Sequence, residues 1–256
     1  MEQMLFRTDA AILPAIVGAL MLIAWGLGVR RGRKLAMDPA QRDAGSKIVD
    51  ATIALLGLLL AFTFAMALER HGQRRLLIVE QANAIGDFYT CATLLPGPER
   101  AELQGVIRTY AKHELDALRS FLDDAERRKV TEESVQLHAQ MTAIVSQAIA
   151  RGTPIAVSLT NTLNNVTSAH ASRTAVYEER LPWPVQALLA VTACVATYLV
   201  GRQQGPAARK SAAGTVCFIV LVCMVIFVIK DLSQPRRGWI RANDASMVRL
   251  VESLKE

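Results

Sequence analysis

The sequence predicts an all-α membrane protein with four transmembrane helices and an extramembrane helical bundle inserted between spans two and three. Two observations carry that reading. Apolar residues gather into four blocks, 10–29, 51–68, 183–201 and 211–229, none containing Asp, Glu, Lys or Arg. The mean hydropathy is +0.25 even though 20% of the residues are charged, so the charge must be concentrated between the blocks. Each block has 18 to 20 residues, and a hydrocarbon core of roughly 30 Å takes about 20 helical residues to cross. Lipid admits only helices or closed barrels, and runs without in/out alternation are not barrel strands. Buried helices of a soluble core usually keep a polar face, which these blocks lack.

The chain divides into 1–68, a first transmembrane pair with its basic loop; 69–182, the insert; 183–229, the second pair; and 230–256, a C-terminal tail. In the first block the basic cluster Arg30, Arg31, Arg33 and Lys34 follows the apolar run, the reverse of a signal peptide, so a retained span is expected. The net charge of +6 sits beside the spans. Residues 30–48 hold six basic and two acidic side chains, 202–210 hold three and none, and the insert is nearly neutral with 13 and 14. Lipid headgroups and topology use charge placed there, so nucleic acid is not an expected partner. Counted near span ends, nine basic residues on one side face ten on the other, which leaves the orientation open.

The second span carries the most informative pattern. Gly57, Ala61 and Ala65 stand four apart, a helix-packing ridge that admits another helix at close range. Leu58, Phe62, Ala65 and Glu69 share a neighbouring face and are the pore-lining candidates. A ring of such apolar side chains could gate ions by dewetting, although lipid-facing or packing residues would read the same way. Arg70, Arg74 and Arg75 follow where the helix leaves the bilayer, and with Trp183 and Trp239 they read as interface anchors.

No proline occurs from 51 to 95, so the second span should continue into the insert as one helix, reaching roughly 40 Å past the membrane at 1.5 Å per residue. Leu76, Val79, Asn83, Gly86 and Thr90 are expected along one face of it. Leu95-Pro96-Gly97-Pro98 stops it and starts the next. Leu103, Val106, Ile107, Tyr110, Leu118, Phe121, Leu122 and Ala125 then recur at spacings of three and four, predicting an amphipathic helix over 99–129. Thr131 with Glu132 and Glu133 opens another, with Val135, His138, Met141, Val145 and Ile149 on one face until Arg151-Gly152 ends it. Thr153-Pro154 begins a fourth stretch, rich in Asn and Thr, that runs to Leu181-Pro182. Helices too polar for lipid, each with an apolar face, should pack together as a bundle.

Three of the four cysteines (Cys194, Cys217, Cys223) lie inside apolar blocks and Cys91 stands alone, so no disulfide framework is expected. The histidines His71, His113, His138 and His170 fall one on each insert helix, but no Glu-x-x-His spacing accompanies them, and no metal or cofactor is expected. G-x-S-x-G, H-E-x-x-H, P-loop and Rossmann patterns are absent, so no catalytic residues are named and an enzyme is not expected.

The run 55–75 (LLGLLLAFTFAMALERHGQRR), the stretch 79–89 (VEQANAIGDFY) leading into Leu94-Leu95-Pro96, and the tail 231–240 (DLSQPRRGWI) resemble the bestrophin-like family, mostly bacterial four-span proteins described as a domain of unknown function. Its name records a distant likeness to bestrophins, pentameric anion channels whose second span lines the pore. That likeness implies an oligomeric anion channel: Ala61 with Phe62 is similar to the glycine-phenylalanine pair of the bestrophin neck, and Leu58 lies one turn before it. Bestrophins continue with arginine and paired tryptophans where this chain has Arg70-His71-Gly72, and with an acidic calcium cluster where Asp231 is here followed by basic residues, so calcium gating is not implied. The resemblance would put both termini and the insert in the cytoplasm, whereas the basic loops after the first and third spans favour the reverse.

The expectation is therefore a multi-pass protein of the cell membrane, the inner membrane of a bacterium, that binds lipid, self-associates through its second span and conducts small anions. The alternative is a membrane-anchored helical interaction or sensing module without transport activity, motivated by an insert of 114 residues against short loops elsewhere.

Overall fold

The computed structural model describes residues 12–34, 39–120, 124–178, 182–205, 208–234, 240 and 243–255. Among these it is all-helical: α1 Ile12–Lys34, α2 Pro39–Thr93, α3 Pro98–Arg119, α4 Asp124–Ala150, α5 Ala156–Glu178, α6 Trp183–Gln204, α7 Ala208–Ser233 and α8 Ala245–Ser253. Four of them are long and apolar enough to cross a membrane, the second within the stretch Gly45–Thr93 of α2. The chain forms two compact units, Met1–Arg70 with Arg180–Ile240, and His71–Glu179 with Arg241–Glu256.

In the first unit α1 and α6 lie backbone to backbone. A Cβ on Gly28 would sit 2.2 Å from the Tyr198 carbonyl oxygen, one on Gly32 2.1 Å from that of Arg202, and one on Gly201 2.4 Å from that of Trp25. Only glycine admits such an approach, and Gly28 and Gly32 stand four apart, as do Gly201 and Gly205. The small-residue seam that joins two spans of this chain is therefore on the first and third spans. On the ridge anticipated on the second span, no neighbouring helix among the described residues comes within 4 Å of a Cβ on Gly57, and Ala61 and Ala65 are exposed. Trp25 Nε1–H donates to Gln204 Oε1 (2.9 Å) and Gln204 Nε2 donates to Thr215 Oγ1 (2.9 Å), which ties α1, α6 and α7 by side chains. Val17, Met21, Leu56, Leu189, Ala193 and Ile226 form the core between the spans.

In the second unit, residues 74–93 of α2 bury Arg74, Ile78, Gln81, Ala82, Ile85 and Phe88. This differs from the anticipated face. Leu76, Asn83 and Thr90 are exposed, with Val79 and Gly86 half-buried, because the unbroken apolar run 76–79 offers every direction and the partner helices select the line of Ile78. Helix α2 ends before Pro96, and Gly97 at φ 81 turns the chain into α3 with proline first, as the stop-and-restart signal predicted.

The helix expected over 99–129 is shorter. Ser120 is extended at ψ 139, and its Oγ–H donates to the Asp116 carbonyl (2.7 Å), a local bond that competes with helix continuation. Helix α4 starts at Asp124, so Thr131 lies inside it rather than at its start. Phe121 and Leu122 lie outside the described residues, and so does the side chain of Ala125. At the other end of α4, Thr153 N–H donates to Ala148 O (3.3 Å) and Gly152 N–H to Ile149 O (2.9 Å) around Gly152 at φ 81. That pair of bonds is the Schellman stop its Arg-Gly signal anticipates.

The tail belongs partly to this unit. Met247 and Leu254 join the core of Ile85, Phe88, Leu103 and Ile107, and Arg108 Nε–H donates to the Leu254 carbonyl (2.7 Å).

Candidate functional site

Two arrangements carry chemistry, one on the second span and one inside the insert. On α2, Leu56 and Ala67 are buried against the other spans together with Thr63, whose hydroxyl donates to the Leu59 carbonyl (2.7 Å). At 100° per residue these three positions fall within about 20° of one line. Leu58, Ala61, Phe62, Ala65 and Glu69 fall on the opposite side, and all five are exposed, Phe62 at 61%. Gly57, also exposed, flanks them. The pore-lining candidates and the packing ridge thus form one continuous uncovered strip, with aromatic and aliphatic side chains beside small residues and a carboxylate at its end.

A cavity of about 30 Å³ between the spans, walled by Leu13, Val17, Thr63, Leu189 and Ile226, has room for little more than a water and is no path for a hydrated ion. Any passage must therefore lie elsewhere than in that cavity.

The anchor residues separate. Trp183 and Arg75 are exposed and Arg70 is half-buried, whereas Arg74 is only 2% exposed and sits on the inner line of α2 two turns before Gln81. Trp239 lies outside the described residues. Asp231, the one acidic residue where a calcium cluster would begin, is buried, and its Oδ2 accepts the Ile240 N–H (2.9 Å).

Inside the insert, Glu114 of α3 is the centre of a polar cluster that no local sequence signal announced. Its side chain is 1% exposed and pairs with Arg173 of α5. Ser134 Oγ–H donates to Glu114 Oε1 (2.9 Å), Gln81 Nε2–H reaches Oε2 (3.3 Å), and His170 Nδ1 stands 3.3 Å from Oε1. Burial alone would raise the Glu114 pKa, but the bonds from His170, the Arg173 charge and Ser134 overcome it and hold the carboxyl down at about 2. Tyr110, fully buried, accepts from Gln81 (3.3 Å) and meets His170 Nδ1 (3.2 Å). Burial, then the Glu114 charge, pushes its phenol well above the usual range, so it stays neutral.

The four histidines fall on four helices as read from the sequence, and His138 and His170 come together with ring centroids 5.3 Å apart. Among the described residues no group of His, Cys, Asp and Glu has the disposition of a metal site. With Arg173 seated on Glu114, the one carboxylate of the cluster among the described residues, its chemistry is charge pairing and proton uptake. A spacing of 59 residues separates Glu114 from Arg173, and such a pairing leaves no periodicity to read. A lone acidic residue on the apolar face of Leu103, Ile107 and Tyr110 was the one available hint.

The bestrophin-like domain profile matches residues 15–247. Against solved structures, the chain is similar to a bacterial bestrophin homologue from Klebsiella pneumoniae, with a TM-score of 0.61, 14% identity and 96% of each chain covered. A second structure, of a membrane protein, matches with a TM-score of 0.61 and 14% identity over 96% of this chain and 97% of the other. At that identity the likeness is one of fold. A comparison with curated proteins gives no match. The profile spans most of the chain, from the first span into α8, and the chain belongs to the bestrophin-like family.

Proposed function

We propose that the chain is one subunit of a homo-oligomeric channel for small anions, in the inner membrane of a bacterium, with the second spans gathered around a common axis. The supporting observation is the uncovered strip on α2. Gly57, Ala61 and Ala65 leave room for a neighbouring copy at close range. Leu58 and Phe62 then form an apolar constriction able to gate by dewetting. Membership of the bestrophin-like family, and a fold like that of a bacterial bestrophin homologue, favour the same reading. Glu69 at the mouth works against anions and Arg70 and Arg75 beside it work for them, so selectivity is measured and not assumed. Protein reconstituted in liposomes should pass chloride faster than potassium, and Phe62→Ala should change that flux while leaving the oligomer intact. Well-folded oligomers that pass no ions would end the channel reading.

A second reading rests on the insert. It has a closed hydrophobic core and a buried ion pair of its own, more organisation than a linker between spans requires. In that reading the insert binds a partner or senses a signal, and the spans hold it at the membrane. Removing 71–179 should then abolish function with the spans still inserted; unchanged function would count against it.

A further inference from the structure

The insert histidines differ in what awaits a second proton. His113 Nε2 lies 3.0 Å from the Val130 carbonyl oxygen, which can only accept, so Nε2 carries the proton of the neutral ring. Its Nδ1 faces Glu133 at 3.5 Å, and a second proton there meets a carboxylate. His170 Nδ1 faces Glu114 at 3.3 Å. His138 is different. Its Nδ1 lies 3.0 Å from the Ser134 carbonyl and must be the donor, while Nε2 is buried with no hydrogen-bond partner among the described residues.

The polar, charged and titratable groups around His138 come from α2, α3 and α5. Tyr110 of α3 sets its ring edge to face against it, 4.8 Å between centroids, and is neutral. Glu114 of α3 is committed to Arg173, Ser134, Gln81 and His170. His170 and Arg173 of α5 are basic, and α2 contributes the neutral Gln81, which donates to the same Glu114 carboxylate. Among the described residues, one carboxylate, already paired, thus stands beside two basic side chains.

We propose that His138 is a proton sensor built into the insert: in mild acid its Nε2 takes up a proton that this surrounding cannot pair, and the packing of α4 on α3 and α5 loosens there. Burial first, with His170 adding, lowers its pKa from the ordinary 6.5, and the bond to Ser134 and the Glu114 charge only partly offset this. A histidine held neutral in this way contributes its full stability above 6.5 and loses it as pH falls through the depressed folded value. Glu114 has the same sign in a different window, its contribution being lost only between 4.5 and about 2. A response above pH 5 therefore belongs to histidine.

The test is hydrogen exchange of the full chain in lipid nanodiscs at about pH 7.5 and about pH 5.5, corrected for intrinsic rates. Amides of α4 and α5 flanking His138 and His170 should open more readily at the acid end, by up to about tenfold, with the spans unchanged. His138→Gln cannot be charged, so it should abolish the response; His113→Gln should leave it in place. Equal protection at both pH values in the unaltered chain would overturn the proposal, as would a full acid response in His138→Gln. Should that variant fold poorly, ring-carbon NMR of the unaltered chain decides: a His138 midpoint at or above 6.5 refutes the sensor.

Discussion

Replacing Arg173 by leucine leaves the Glu114 carboxylate inside the insert without its cation, and removes one of the contributions that together hold its pKa down. The folded-state pKa of Glu114 is held at about 2 against an ordinary 4.5, a gap worth about 3 kcal/mol at neutral pH. Independently, deleting one partner of a buried ion pair costs about 3 to 5 kcal/mol, because the remaining charge has lost its compensation. The side chain is 1% exposed, so solvent screening offers little relief. Ser134, Gln81 and His170 still address the carboxylate, which places the loss near the lower figure. For a unit of this size the thermal midpoint should fall by about 10 °C or more. Limited proteolysis of the full chain in nanodiscs against temperature, with insert fragments read by mass spectrometry, reports that unit alone. The pair itself is tested by a cycle: Glu114→Met with Arg173→Met should be less damaging than the two single changes added together. A drop of under about 3 °C in Arg173→Leu, or strict additivity in the cycle, would refute the reasoning.

Two further outcomes follow from backbone geometry. Gly201→Val places a branched side chain where even a Cβ lies 2.4 Å from the Trp25 carbonyl oxygen, so α1 and α6 must separate by about 1 Å or more and the spans should lose about 3 kcal/mol; Gly26→Val, with nothing within 4 Å, should be silent in the same detergent melt. Gly152→Ala forces a Cβ onto a φ of 81 and should cost the insert about 1 kcal/mol, with Gly152→Asn costing less, whereas Gly105→Ala, mid-helix in open space, should stabilise it by up to about 1 kcal/mol in the same proteolysis series.

The spans were legible because lipid imposes one rule on every residue of a block, so composition alone reports them. Helix stops were legible where proline or glycine fixes the backbone, at Pro96 to Pro98 and at Gly152. Faces were less so. Val135 and Ile149 were placed with Met141 and Val145, yet both are exposed, and Ser134, Ile144 and Ala148 take the buried positions. Periodicity defines a stripe about 100° wide, and only the neighbouring helices choose its centre. The junction at Ser120 was missed because the apolar spacing of α3 continues through Phe121 and Leu122, whereas the stop is a short hydroxyl bond. The Gly28 and Gly201 seam was written in the sequence at a spacing of four, but it runs past the ends of the uncharged blocks into basic residues, where a search bounded by charge does not look.

The second span shows why a face can be legible while its partner is not. Leu56, Thr63 and Ala67 give α2 one buried line, and a helix that needed only this chain's other spans would present ordinary lipid-compatible bulk on its far side. Instead that side alternates large and small: Leu58 and Phe62 stand beside Ala61 and Ala65, with Glu69 where the apolar run ends. Lipid has no use for small residues in register, since a flexible tail fills any groove, but a second rigid helix does. The seam of Gly28 and Gly201 proves the principle within the chain, because there the same spacing is occupied by a backbone. Gly57, Ala61 and Ala65 repeat it on a surface left exposed among the described residues, and the proposed channel fills that surface with a second copy, Phe62 beside the contact. Under this argument, enlarging Ala61 to leucine should disperse the oligomer while sparing the monomer fold, and an undisturbed oligomer would move the interface to another face.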